Sequence, residues 1–85
     1  LEMVPSPVAD RVTSELRIPT IGIGAGVGCD GQVLVWTDIA GLGDWSPSFA
    51  KRYADIGAEL ARAAAEYVAE VKAGTFPDEG HSFAT

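Results

Sequence analysis

Apolar positions recur along this chain with two spacings. Val8, Val12 and Leu16 stand four apart and predict one face of a helix over about Ser6–Arg17. Pro5 and Pro7 suit its first turn, and Pro19 ends it. Ahead of it, Leu1-Glu2-Met3-Val4 reads as the end of an apolar strand. Behind it, Thr20, Ile21 and Ile23 form a short β-branched run bounded by Pro19 and glycines, the pattern of a buried strand. Gly22, Gly24, Gly26, Gly28 and Gly31 then make a glycine-rich loop. Gln32-Val33-Leu34-Val35-Trp36 is apolar nearly throughout, as parallel strands buried on both faces are. Thr37–Trp45 is predicted to be a loop. From Ser46 as N-cap and Pro47 as first helical residue, Phe49, Tyr53, Ile56, Leu60, Ala64, Tyr67 and Val71 repeat at steps of three and four. They predict one stripe of a long amphipathic helix with a break near Asp55–Gly57, stopped by Gly74 ahead of Pro77. Asp78–Thr85 is a polar, irregular tail.

Helices alternating with buried strands imply α/β architecture with a parallel sheet. Two strands and a strand stub leave such a sheet with faces and edges unmet, and the long helix needs a surface to cover. The pattern therefore asks for more protein than 85 residues contain. A whole (β/α)8 TIM barrel takes roughly 250 residues, so about a third of one would be here. Residues 1–85 read as a single partial domain, the C-terminal portion of a barrel with parallel strands and a long C-terminal helix. The start at Leu1 rather than a methionine fits a truncated chain.

Composition narrows the partners. Hydrophobic residues make up 47% of the chain, which argues for a folded protein rather than a disordered one. The net charge of −6 repels nucleic acid and anionic membrane surfaces, so neither is an expected partner. Cys29 is the only cysteine and closes no internal disulfide, which suits a reducing cytosol. There is no secretory signal, and no apolar stretch reaches membrane-spanning length.

Gly26, Gly28 and Gly31 match G-x-G-x-x-G, but a dinucleotide site needs a helix after the loop, and a strand is predicted there. What remains is a loop at the C-terminal end of a parallel strand, whose glycine backbone is expected both to approach a ligand closely and to make a turn requiring positive φ. Glu2 sits inside an apolar segment ahead of Pro5. At a barrel mouth it would be placed as a general base; at a frayed terminus it would be a solvated carboxylate, the reading that the residues alone favour. Asp30 and Asp38 follow the two predicted strands and would face the same rim, as metal or substrate contacts or, on balance, as turn residues. His81 has no second histidine or cysteine at ligand spacing, so a zinc site is not expected. Cys29 has no histidine near it in sequence to make it a nucleophile. Lys51, Arg52, Arg62 and Lys72 look like a solvated helix face among acidic residues.

Several strings in this order carry a resemblance over essentially the whole chain. They are Glu2-Met3-Val4-Pro5, Ile18-Pro19-Thr20-Ile21-Gly22-Ile23-Gly24-Ala25-Gly26, Cys29-Asp30-Gly31-Gln32-Val33-Leu34-Val35, Lys51-Arg52-Tyr53-Ala54-Asp55 and His81-Ser82-Phe83. Together they resemble the C-terminal part of the ketopantoate (3-methyl-2-oxobutanoate) hydroxymethyltransferase family. The resemblance implies a cytoplasmic (β/α)8-barrel enzyme of pantothenate biosynthesis, assembled as a decamer. It implies transfer of a hydroxymethyl group from 5,10-methylenetetrahydrofolate to 3-methyl-2-oxobutanoate, giving 2-dehydropantoate, with a magnesium ion holding the keto acid. Glu2 matches the family's general base, and the Gly22, Gly24 and Gly26 loop is expected to meet substrate. The family's magnesium ligands lie in its N-terminal half, so no metal ligand is assigned here. Pro7-Val8 and Gly80 depart from the family's usual residues, and Asp44-Trp45-Ser46 falls in a loop that varies. The alternative from a different class is a stand-alone module that binds phosphate or carboxylate on the Gly22–Gly26 loop.

Overall fold

The computed structural model describes residues 1–85. It has a short helix α1 (Ser6–Glu15), strands β1 (Ile21–Gly22) and β2 (Gly31–Gln32), a five-residue helix α2 (Trp36–Ala40) and a long helix α3 (Ile56–Ala73). A 3-10 turn, Glu79–His81, follows in the tail.

The sheet is parallel. Ile21 pairs with Gly31 and Gly22 with Gln32, and Glu2 adds an isolated parallel bridge to Ile23. The Leu1 amine donates to the Ile21 carbonyl at 2.8 Å. Ile23 N–H donates to Leu1 O and Met3 N–H to Ile23 O, both at 2.9 Å. The first residues are therefore a third strand segment beside β1, with α1 as the crossover between them. The expected strand end at Leu1–Val4 is present, and so is the parallel pairing.

Two elements differ from the sequence pattern. Of the predicted strand Gln32–Trp36 only Gln32 lies in β2, and Trp36 instead opens α2, which runs on into the predicted loop. Val33 donates its N–H to Gly22 O at 3.0 Å, but β1 ends there and offers nothing further along. Val33 and Val35 are each 51% exposed, so the apolar run lacks the two covering layers that its composition suits.

The long helix starts at Ile56, not Ser46. Residues ahead of it spend their donors elsewhere. Tyr53 and Ala54 N–H both reach Ile39 O, at 3.0 and 3.2 Å, and Gly57 N–H reaches Gly41 O at 2.9 Å. Arg52 donates to Gly43 O at 2.7 Å and Gly41 O at 3.0 Å, and pairs with Asp55 at 3.0 Å. These bonds hold residues 52–55 against the C-terminal end of α2, so Phe49 and Tyr53 leave the predicted stripe. The expected break near Asp55–Gly57 is where the helix begins. Gly74 ends it in the left-handed conformation, as predicted.

Within α3, Arg62 bridges Glu59 at 2.6 Å and Glu66 at 2.9 Å. Its pKa is raised first by the hydrogen bond to Glu59 and then by the charge of Glu66. At the far end, Phe76 meets the Tyr67 ring edge-on at 5.7 Å and the His81 ring at 5.5 Å. The Asp78 carboxylate accepts the His81 N–H at 3.0 Å, and the His81 ring nitrogen Nδ1 lies 2.5 Å from it.

The chain has almost no core. Only 6 of 85 residues are buried, among them Ala9, Thr20, Ala25 and Ala50, and no large side chain is. The radius of gyration is 21.9 Å and the extents are 68 × 28 × 13 Å. A compact domain of this length has a radius of roughly 12 Å. α3 buries none of its residues and leaves Leu60, Tyr67, Val68 and Val71 exposed.

Candidate active site

All three strand segments run the same way, so their C-terminal ends share one edge. Glu2 and Met3 end the first segment, Ile23 and Gly24 follow β1, and Val33 follows β2. Glu2 is exposed in this chain. Met3, directly after it, has φ 54, a left-handed conformation costing a side-chain-bearing residue about 1–2 kcal/mol. Strain of this kind clusters where a side chain must be aimed.

Glu2 and Met3 line a cavity of about 390 Å3 with Trp45, Pro47, Ser48 and Phe49. Gly24, Gly26, Val27 and Gln32 line a second of about 390 Å3, and Phe49 belongs to both. Two glycine positions make the second cavity possible. Gly24 has φ 63, and a Cβ there would lie 2.9 Å from the Phe49 ring. Gly26 has φ 84, and a Cβ there would run into Ser6 at the start of α1. The Gln32 amide then donates to Gly26 O at 2.8 Å, tying the loop to β2.

Gly22 does not join them. It is buried, and a Cβ there would stand 2.7 Å from Cys29 Sγ. Asp30 is not on the rim with Glu2 either. It precedes β2, at the opposite edge of the sheet, where its carboxylate accepts the Thr20 N–H at 2.8 Å. The reading of Asp30 as a turn residue agrees with this; the shared rim does not. Asp38 lies in the first turn of α2. His81 is in the tail with Asp78. Glu2, Asp30 and Asp38 thus do not converge, and no three His, Cys, Asp or Glu side chains are grouped to hold a metal ion. The residues present do not fit a magnesium site by themselves. No helix is long and apolar enough to cross a membrane.

A third hollow of about 380 Å3, lined partly by Asp44, Arg52 and Asp55, lies at the start of α3. The Arg52 guanidinium there is already committed to two carbonyls and Asp55.

Trp45, Phe49 and Gln32 are among the cavity residues that the sequence pattern does not single out for a site. Helical spacing places Phe49 in a stripe, and the apolar run places Gln32 in a strand. The signal for Trp45 is a large aromatic set directly between the polar residues Asp44 and Ser46 in a glycine-punctuated loop.

A sequence profile of the family described as Ketopantoate hydroxymethyltransferase matches residues 1–79. Over 84 residues, 98% of this chain, the sequence is 58% identical to 3-methyl-2-oxobutanoate hydroxymethyltransferase of Mycobacterium ulcerans (strain Agy99), covering 28% of that protein. It is 57% identical to the protein of that name from Mycobacterium tuberculosis (strain ATCC 25618 / H37Rv), covering 30%. It is 60% identical to the one from Geobacter metallireducens, covering 32%. The chain spans less than a third of the length of these relatives.

Proposed function

This chain belongs to the ketopantoate hydroxymethyltransferase family, and we propose that it forms the C-terminal part of a (β/α)8-barrel enzyme making 2-dehydropantoate. The reaction joins a hydroxymethyl group from 5,10-methylenetetrahydrofolate to 3-methyl-2-oxobutanoate. The observation that carries this reading is the parallel bridge between Glu2 and Ile23. It sets a carboxylate-bearing strand end beside the Gly24 loop, on the edge of a parallel sheet where barrel enzymes build their sites.

Glu2 acts as general base. It takes the proton from the carbon next to the ketone, leaving an enolate whose carbon bonds to the one-carbon unit of the donor. The donor's carbon arrives as CH2 and water supplies the hydroxyl oxygen, so tetrahydrofolate and 2-dehydropantoate are the products. Gly24 and Gly26 let backbone come close to the keto acid, and Phe49 narrows the mouth against water. Gly22 contributes by fitting the strand against Cys29.

Magnesium belongs to the proposal as a Lewis acid for the enzyme as a whole. Its ligands would lie outside residues 1–85. A homo-oligomer, a decamer in the resemblance, and a cytoplasmic location are proposed on the same footing. The exposed stripe of α3 and the near absence of a core support a reading in which further protein covers these faces. They weigh against the stand-alone anion-binding module, which would need to fold by itself.

The test is a chimera in which these residues replace the matching segment of the Mycobacterium ulcerans relative. Formation of 2-dehydropantoate from both substrates is the expected result, with none from residues 1–85 alone. A correctly folded but inactive chimera, or full turnover by the isolated chain, would count against the reading.

A further inference from the structure

Trp45 is unused by the chemistry described above. Its indole is 78% exposed, yet it stands in the wall of the cavity that Glu2 lines. Trp45, Pro47 and Phe49 come from one short loop, and Met3 completes an apolar surface. The Glu2 carboxylate is the only formally charged side chain lining this cavity; no lysine or arginine faces it.

That lining discriminates between the two substrates. The keto acid is an anion. Neither cavity offers it a lysine or arginine, but only this one already holds a carboxylate, and desolvating a second carboxylate beside the first is unfavourable. The one-carbon donor carries a flat fused ring. It becomes electrophilic when the bond between its bridging carbon and N10 opens. The bonding pair leaves with N10, which takes a proton, and the N5 lone pair makes the carbon an iminium, so one positive charge sits on the ring end of the molecule, away from its carboxylate tail. A flat ring stacks on indole, a cation over the indole face is attracted by its π-system, and a nearby carboxylate adds to that attraction.

We propose that Trp45 is the stacking platform for the pterin ring of the one-carbon donor, so that the co-substrate site is the cavity between Glu2 and the loop 45–49. This rests on the hydroxymethyl-transfer reading. The Phe49 ring, packed at Gly24, is common to this cavity and to the glycine-loop cavity. A reaction that joins two molecules needs two adjoining sites. The keto acid takes the side with Gly24, Gly26 and Gln32, the donor takes the side with Trp45, and Phe49 is the wall they share; Glu2 lines the donor side and is bridged to Ile23, next to Gly24.

The experiment compares Trp45→Ala and Trp45→Phe in the chimera. The KM for methylenetetrahydrofolate rises on the order of 10-fold in Trp45→Ala and recovers most of the way in Trp45→Phe. The KM for 3-methyl-2-oxobutanoate stays within about twofold, since no stacking contact to it is lost. Tetrahydrofolate alone quenches the fluorescence of the Trp36→Phe chimera, in which Trp45 is this segment's remaining indole, and the added Trp45→Phe change removes that response. An unchanged donor KM in Trp45→Ala at wild-type melting temperature, a rise confined to the keto acid KM, or a quench that survives Trp45→Phe would overturn the proposal. An inactive parent chimera would instead sink the transfer reading, and the fluorescence titration would still decide whether Trp45 meets the ring.

Discussion

The Asp30 carboxylate and Thr20 hold each other from both directions. Asp30 Oδ2 accepts the Thr20 N–H at 2.8 Å and lies 3.3 Å from its hydroxyl, while Asp30 N–H donates back to Thr20 Oγ1 at 3.2 Å. Thr13 of α1 joins through a hydroxyl contact of 2.8 Å to Thr20. Thr20 is 6% exposed, so its N–H has little water to turn to. The cluster clamps α1, the start of β1 and the start of β2 at the edge of the sheet opposite Glu2.

Asp30→Ala should therefore destabilise the assembled enzyme by about 1–3 kcal/mol, the cost of a buried donor left without a partner. Asp30→Asn keeps an acceptor and should lose less, about 1 kcal/mol. Denaturant unfolding of the chimera measures both. Kinetic constants of the folded fraction should barely move, because Asp30 is at the far edge from the cavities. A large kcat loss without a stability loss would show that Asp30 is not a clamp.

Glu2→Gln should lower kcat by about 10^2–10^4, the range for removal of a positioned general base. The more specific readout is exchange of the keto acid's C3 proton in heavy water without the folate donor. That exchange needs the base and not the second substrate, so Glu2→Gln should suppress it while leaving keto acid binding measurable. Persistence of exchange at the parent rate would remove Glu2 from the role.

Gly24→Ala meets two obstacles. It forces a side-chain-bearing residue into a left-handed backbone at φ 63, and its Cβ would stand 2.9 Å from the Phe49 ring. The first costs about 1–2 kcal/mol and no neighbouring change repairs it. The second is repaired by shrinking the ring, so Gly24→Ala with Phe49→Leu should recover part of the lost stability and activity. Strict additivity of the two changes would mean that the ring and the loop do not pack together.

The sequence made some of this legible and hid the rest for identifiable reasons. Parallel pairing, the α1 crossover, the helix stop at Gly74 and the position of Glu2 at a strand end follow from short-range signals: β-branched runs, proline punctuation and a glycine that accepts positive φ. The start of α3 did not, because the Phe49–Tyr53 spacing is helical while Tyr53, Ala54 and Gly57 donate to carbonyls of α2 and Gly41 that no local pattern announces. The strand expected at Gln32–Trp36 shortened because pairing depends on neighbours more than on its own residues. Trp45 has no periodicity to mark it, and its meaning comes from sharing a cavity with Glu2, 43 positions away.

The isolated 85 residues should not unfold cooperatively. Cooperativity comes from a shared core, and here no large side chain is fully buried. α3 has 18 residues and no tertiary cover, close to the length at which a lone helix is marginal in water. Circular dichroism should therefore report partial helix that fades over a broad temperature range. A dye that binds exposed apolar surface should light up on Leu60, Val68, Val71 and their neighbours. Adding the segment of the Mycobacterium ulcerans relative that precedes its matching region should sharpen the transition and quench the dye, because the stripe of α3 and the exposed Val33 and Val35 would then be covered. A sharp two-state transition from the 85 residues alone would mean that they find a core that this extended arrangement lacks.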